Sequence, residues 1–151
     1  MKINDQILQE LASDHALAYF DVLRTANWIE VLIKDALKPL ELTHAQLNIL
    51  SLLAHRHPKP MSAGAIKKGV IVSSPDITRL IDRMEKKAWV TRQVCPDNRR
   101  QLEIRITMEG MNCFHRAHEA AMEVTDVFFQ NKISQKEANT VSRVLREIRK
   151  K

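Results

Sequence analysis

Apolar positions recur at helical spacing along most of the chain and change to alternation in only one stretch. From Ile3 to Leu37 they fall at 7, 8, 11, 18, 22, 26, 29 and 33, which sets one stripe along one face of a helix. No Gly or Pro interrupts this run before Pro39, so the pattern predicts one long helix, straight or kinked, or two in tandem. Leu17, Phe20 and Leu23 fall on its other faces, and more apolar faces than one core needs suit a subunit interface. Thr43-His44-Ala45-Gln46 has the form of a capping box, the hydroxyl and the glutamine each satisfying an orphan amide. The helix it opens carries Leu47, Ile49, Leu50, Leu52 and Leu53 and has to stop before Pro58. A short helix follows from about Ser62 to Lys68, ended by Gly69. Ser74-Pro75 then reads as N-cap and first residue of another, with stripe Ile77, Leu80, Ile81 and Met84 and an end near Lys87.

Val90–Val94 and Leu102–Ile106 both alternate and read as strands. The turn residues Pro96-Asp97-Asn98 and the pair Arg99-Arg100 lie between them, giving a hairpin with a basic tip. Thr107 caps the next helix, which runs to about Lys132 with Met111, His115, His118, Met122, Thr125 and Phe129 on one stripe. Ser134-Gln135-Lys136-Glu137 is a second capping box, opening a final helix with Ala138, Val141, Val144, Leu145 and Ile148. Short helices followed by a basic hairpin are the layout of a winged helix-turn-helix. The fold class is therefore mainly α, an α+β winged helix-turn-helix of about six helices and a two-stranded wing.

The chain has 151 residues, suited to a single domain over 1–151. Its winged-helix lobe spans about 43–107, and helices of about 3–37 and 107–150 are left over for dimerisation. Three glycines in all argue against a Gly-rich phosphate loop or a turn-rich β sandwich. Cys95 and Cys113 have neither metal-ligand spacing nor the look of a secreted disulfide framework. With no 18-residue apolar run and no signal-peptide pattern at Met1-Lys2-Ile3-Asn4-Asp5, the expectation is a cytoplasmic protein without membrane contact.

Charge changes the picture more. The net +6 is uneven: residues 1–55 carry 4 basic and 7 acidic side chains, whereas 56–105 carry 12 and 5. A net of +7 on the central third is the footprint of a polyanion-binding module. The second helix of a helix-turn-helix lies in the major groove with its first residues facing base edges. Here that stretch offers Ser73, Ser74, Asp76, Thr78, Arg79 and Arg83. Arg pairs bidentately with guanine, and Ser and Thr contact edges or phosphates. Lys67 and Lys68 on the preceding helix are candidate phosphate contacts.

Ser73 to Arg92, then Pro96-Asp97-Asn98-Arg99-Arg100, then Ile106-Thr107-Met108-Glu109-Gly110 resemble the MarR family of bacterial transcriptional regulators. That family has a recognition helix ending in a basic pair, a glycine and an apolar residue, a wing with an Asp-x-Arg signature, and a Leu-Thr-x-x-Gly helix start. The match is specific over 73–110; the flanking helices fit by pattern. Two positions depart from it. Ala88 stands at the usual C-cap glycine, which argues against a left-handed Schellman end. Asn98 stands at the usual wing Asp, so any hold on an arginine loses its charge assistance. The resemblance implies a homodimeric regulator, a repressor, on a pseudo-palindromic site in double-stranded DNA, with Arg100 entering the minor groove and Arg99 on the phosphates. It also implies a small aromatic or anionic effector between the lobes, for which Tyr19, Arg24, Trp28 and His44 are candidate lining residues.

Other chemistry is poorly supported. His115 and His118 lie three apart on one helix, but zinc needs three or four ligands and no local set completes the pair. No metal or cofactor is expected. No recognisable Ser/His/Asp, paired-carboxylate or Cys/His arrangement points to an enzyme. The competing class is a winged-helix module that contacts protein rather than DNA.

Overall fold

The computed structural model describes residues 13–71, 76–96, 98 and 102–150. Helix α1 (Asp14–Leu37) starts at Ser13, whose hydroxyl accepts the Ala16 amide at 3.3 Å. This helix is the described part of the stretch expected over 3–37 as one long helix or two in tandem; Ile3, Ile7, Leu8 and Leu11 lie outside the described residues. A 3-10 turn (Lys38–Leu40) around Pro39, with Glu41 at φ 50°, swings the chain into α2 (His44–Arg56). The Thr43 capping box forms: the Gln46 amide donates to the Thr43 hydroxyl at 3.2 Å, and Gln46 Oε1 accepts the Thr43 amide at 3.0 Å. Gln46 is buried, and this pairing meets its need for a partner.

Strand β1 (Met61–Ser62) leads into α3 (Ala63–Gly69); then come α4 (Ile77–Lys86), β2 (Val90–Val94), β3 (Leu102–Ile106), α5 (Met108–Lys132) and α6 (Gln135–Ile148). The wing strands match the alternation in the sequence, and Val90 faces Ile106 while Val94 faces Leu102. The sheet nevertheless has three strands rather than two, antiparallel in the order β1-β3-β2, with Met61 opposite Ile104. Two residues are too short to show a period; β1 exists because the outer edge of β3 has backbone groups to pair.

Ile49, Leu50 and Leu53 of α2, Ile66 of α3, Ile77, Ile81 and Met84 of α4, and Val90, Ile104 and Ile106 of the sheet form one buried cluster. Helix α5 packs on α1 and α2, but not through the expected stripe. Its buried residues are Gly110, Phe114, Ala117 and Ala121. Small side chains let the helices approach closely, whereas a stripe chosen by size lands on the flank. His115 and His118 consequently sit outside, each with its ring centroid 5.3 Å from that of Phe114. The terminal helix α6 buries no residue at all, and Val141, Val144 and Ile148 are exposed.

Two further expectations are corrected at the ends of α4. Its N-cap is Asp76 rather than Ser74, with the Asp76 carboxylate accepting the Arg79 amide at 3.0 Å. A carboxylate at the positive end of the helix is favoured over a neutral hydroxyl, and here it also pairs with a side chain one turn on. At the other end Ala88 does adopt φ 57°. The Trp89 amide donates to the Met84 carbonyl at 2.9 Å and the Ala88 amide to the Glu85 carbonyl at 2.9 Å, which is the Schellman pattern. Burial of Trp89 and Met84 and the Thr107 hydroxyl on the Ala88 carbonyl at 2.6 Å hold the alanine there. Ala88→Gly should therefore stabilise the fold by about 0.5–1 kcal/mol, the left-handed penalty less glycine's larger loss of chain entropy. Thermal unfolding should show a midpoint up by about 2–4 °C; an unchanged or lower midpoint would contradict the strain at Ala88.

Candidate nucleic-acid interface

Helix α4 buries Ile77, Ile81 and Met84 and turns Thr78, Arg79 and Arg83 outward. The inner residues fall four and then three apart, so the polar ones share the opposite face. Arg79 Nε lies 2.9 Å from Asp76 Oδ2, with the Arg79 side chain 78% exposed. Such an exposed pair contributes ~1 kcal/mol or less and exchanges easily for a base edge. Arg83 stands in no ion pair with the described residues, and neither do Lys67 and Lys68, exposed in the last turn of α3. Helix α3 packs on α4, so these cations border one surface. Asn98 is exposed on the wing, its amide donating to the Cys95 carbonyl at 3.3 Å. Ser73, Ser74, Arg99 and Arg100 lie outside the described residues.

Three residues that the sequence did not single out organise this surface. Arg92 on β2 pairs through Nη2 with Asp82 Oδ1, and through Nε with Glu85 Oε2 at 3.5 Å, both on α4. The signal was present: alternation puts Arg92 on the inward face with Val90, where a charge requires partners. Behind the wing, Arg105 donates to the Pro58 carbonyl at 2.9 Å and to Glu103 at 3.1 Å. Lys87 reaches back to the Glu41 carbonyl at 3.0 Å, its ammonium 4.7 Å from the Trp89 ring centroid.

The expected effector residues do not converge. Trp28 lies 4.2 Å from the Phe128 ring and lines a cleft of about 600 Å³ with Leu32, Val124, Val127 and Lys132. Tyr19 is exposed and meets Phe20 edge-on at 5.2 Å. Arg24 is exposed on α1, and His44 Nδ1 is held 2.6 Å from Glu30 on that same helix. A smaller cavity of about 290 Å³ lies among Leu40, Trp89, Glu109, Asn112, Cys113 and Arg116. Burial pushes the Cys113 thiol up, against the lowering pull of Arg116 and Lys87. Among the described residues no three His, Cys, Asp or Glu side chains cluster to hold a metal, and no helix is long and apolar enough to cross a membrane.

A capped helix presenting arginines, a preceding basic helix and an antiparallel wing packed on both define a winged helix-turn-helix protein. Residues 42–102 match the model of the MarR family. Solved structures share the fold over most of the chain. A MarR variant from E. coli complexed with operator DNA is 20% identical, with TM-score 0.79 over 97% of this chain and 100% of that one. A MarR transcription factor from Planctomyces limnophilus is 27% identical, with TM-score 0.69 over 91% of this chain and 97% of that one. The organohalide-sensing regulator RdhR in its 2,4-dichlorophenol-bound form is 18% identical, with TM-score 0.82 over 99% of this chain and 85% of that one.

Proposed function

We propose that this protein is a sequence-specific DNA-binding transcriptional repressor that acts as a cytoplasmic homodimer on a pseudo-palindromic operator. The observation that carries the reading is the outward face of α4, where Thr78, Arg79 and Arg83 stand clear of the core beside Lys67 and Lys68. Arg79 and Arg83 read base edges; Lys67, Lys68 and Arg99 contact phosphate, and Arg100 of the wing enters the minor groove. Asp76 caps the helix and releases Arg79 on binding. The protein has no catalytic role.

The terminal helices supply the dimer. Helix α6 is amphipathic yet buries nothing in its own chain, and Tyr19, Val22 and Leu23 of α1 are exposed as well. Two-fold symmetry then sets half-sites about one helical turn apart. Sedimentation at micromolar concentration should give a dimer, and replacing Val141 and Val144 with Glu should give a monomer. A wild-type monomer would refute this assembly.

The cleft beside Trp28 and Phe128 suits a small aromatic effector, in keeping with the chlorophenol bound by the similar organohalide-sensing regulator. Trp28 is the contact we assign to it. The decisive experiment for the function is selection from a random duplex pool with the purified protein, followed by salt titration of the winner. A selected palindrome whose affinity falls steeply with salt supports the reading. Recovery of no preferred duplex would pass the lead to the protein-contact alternative.

A further inference from the structure

Arg92 is buried more deeply than its role in a wing strand calls for. Its side chain is 20% exposed, against 78% for Arg79. It shares a face of β2 with buried Val90 and stands opposite Ile104, which is 2% exposed. There the guanidinium spans two half-exposed carboxylates one helical turn apart on α4: Nη2 on Asp82 and Nε on Glu85. A planar fork with separate donors serves two acceptors at once, which an ammonium on a flexible stem does not reproduce. The partners are the recognition helix and the wing, the two elements that enter different grooves of a duplex.

We propose that Arg92 is a positioning residue that locks the wing to the recognition helix, so that both reach DNA in one fixed relation. This rests on the DNA-binding reading above and deepens it. Arg92 is turned away from the outer face of α4 and touches no DNA. Its contribution is to hold in the free protein a geometry that the wing otherwise has to find during binding, and such preorganisation appears as affinity. Asp82 and Glu85 are the other half of the device; without the guanidinium they are two uncompensated carboxylates behind a phosphate-binding surface.

The test uses the full-length protein and the duplex that the wild type selects from a random pool. Failure of the wild type to select any duplex refutes the DNA-binding reading and leaves the lock without a function. With a selected duplex in hand, Arg92→Gln should weaken binding about tenfold, with the slope of log affinity against log salt unchanged. Arg92→Lys should recover part of the loss. The double variant Arg92→Gln with Asp82→Ala should bind no more weakly than Arg92→Gln alone, since both remove one lock. All variants are compared at a temperature where their far-ultraviolet dichroism equals that of the wild type. Wild-type affinity in Arg92→Gln overturns the proposal. So does a salt slope shallower by about one per half-site, which would place Arg92 on a phosphate. Recovery of wild-type affinity in the double variant also overturns it, by reducing the effect to carboxylate repulsion.

Discussion

Gly110→Ala is expected to destabilise the protein by about 3 kcal/mol or more, lowering the unfolding midpoint by roughly 6–12 °C. Gly110 is buried in the first turn of α5, where a Cβ would overlap the Trp89 carbonyl oxygen and lie 2.8 Å from its carbon and 3.0 Å from Ile106 Cγ1. The obstruction is backbone, and it is held on several sides. The Trp89 carbonyl accepts the Thr107 amide at 3.1 Å, the Thr107 hydroxyl donates to the Ala88 carbonyl at 2.6 Å, and that hydroxyl also accepts the Gly110 amide at 2.9 Å. Making room for one methyl therefore disturbs the helix cap, the left-handed end of α4 and the start of the wing together. Urea or thermal unfolding measures the effect. Gly64→Ala is the control, because its Cβ would meet only Ser62 Oγ at 3.9 Å; it should be neutral or mildly stabilising. Equal effects at the two glycines would refute the steric account.

The second large effect concerns binding. Arg79→Ala should cost about 1–3 kcal/mol per half-site on the selected duplex, roughly fivefold to 150-fold, and should relax sequence preference at the base pair it contacts. The free-state pair with Asp76 is too exposed to offset much of this. Lys67→Ala should instead weaken binding to selected and scrambled duplexes alike and flatten the salt slope by about one per half-site. Titrating wild type and both variants on the two duplexes separates reading from positioning. If Arg79→Ala weakens both duplexes equally, Arg79 is a phosphate contact, and base reading moves to Arg83 and Thr78.

The faces of the described part of the candidate interface were legible because their determinants are local. A stripe at Ile77, Ile81 and Met84 fixes which way Arg79 and Arg83 point, and alternation fixes the faces of β2 and β3. What escaped was cross-element. The pairing of Arg92 with Asp82 and Glu85 joins a strand to a helix, and period alone cannot say which buried charge meets which. The neighbours of the candidate effector residues are cross-element too: Trp28 meets Phe128 and His44 meets Glu30, contacts set by how α1 crosses its neighbours.

By itself the sequence determined the caps at Thr43, Thr107 and Ser134, the wing strands to the residue, and the concentration of positive charge between 56 and 105. Each of these rests on hydrogen bonds or spacings within a few residues, so no distant partner can overrule it. Tertiary structure decided the rest. It added β1, because only β3 offers that segment a partner. It chose Gly110, Ala117 and Ala121, with Phe114 in the core among them, over the expected stripe of α5, because close helix approach rewards small side chains. It holds Ala88 in a left-handed conformation that its own side chain disfavours, because the burial of Trp89 and the Thr107 hydroxyl on the Ala88 carbonyl fix the path from α4 into the wing.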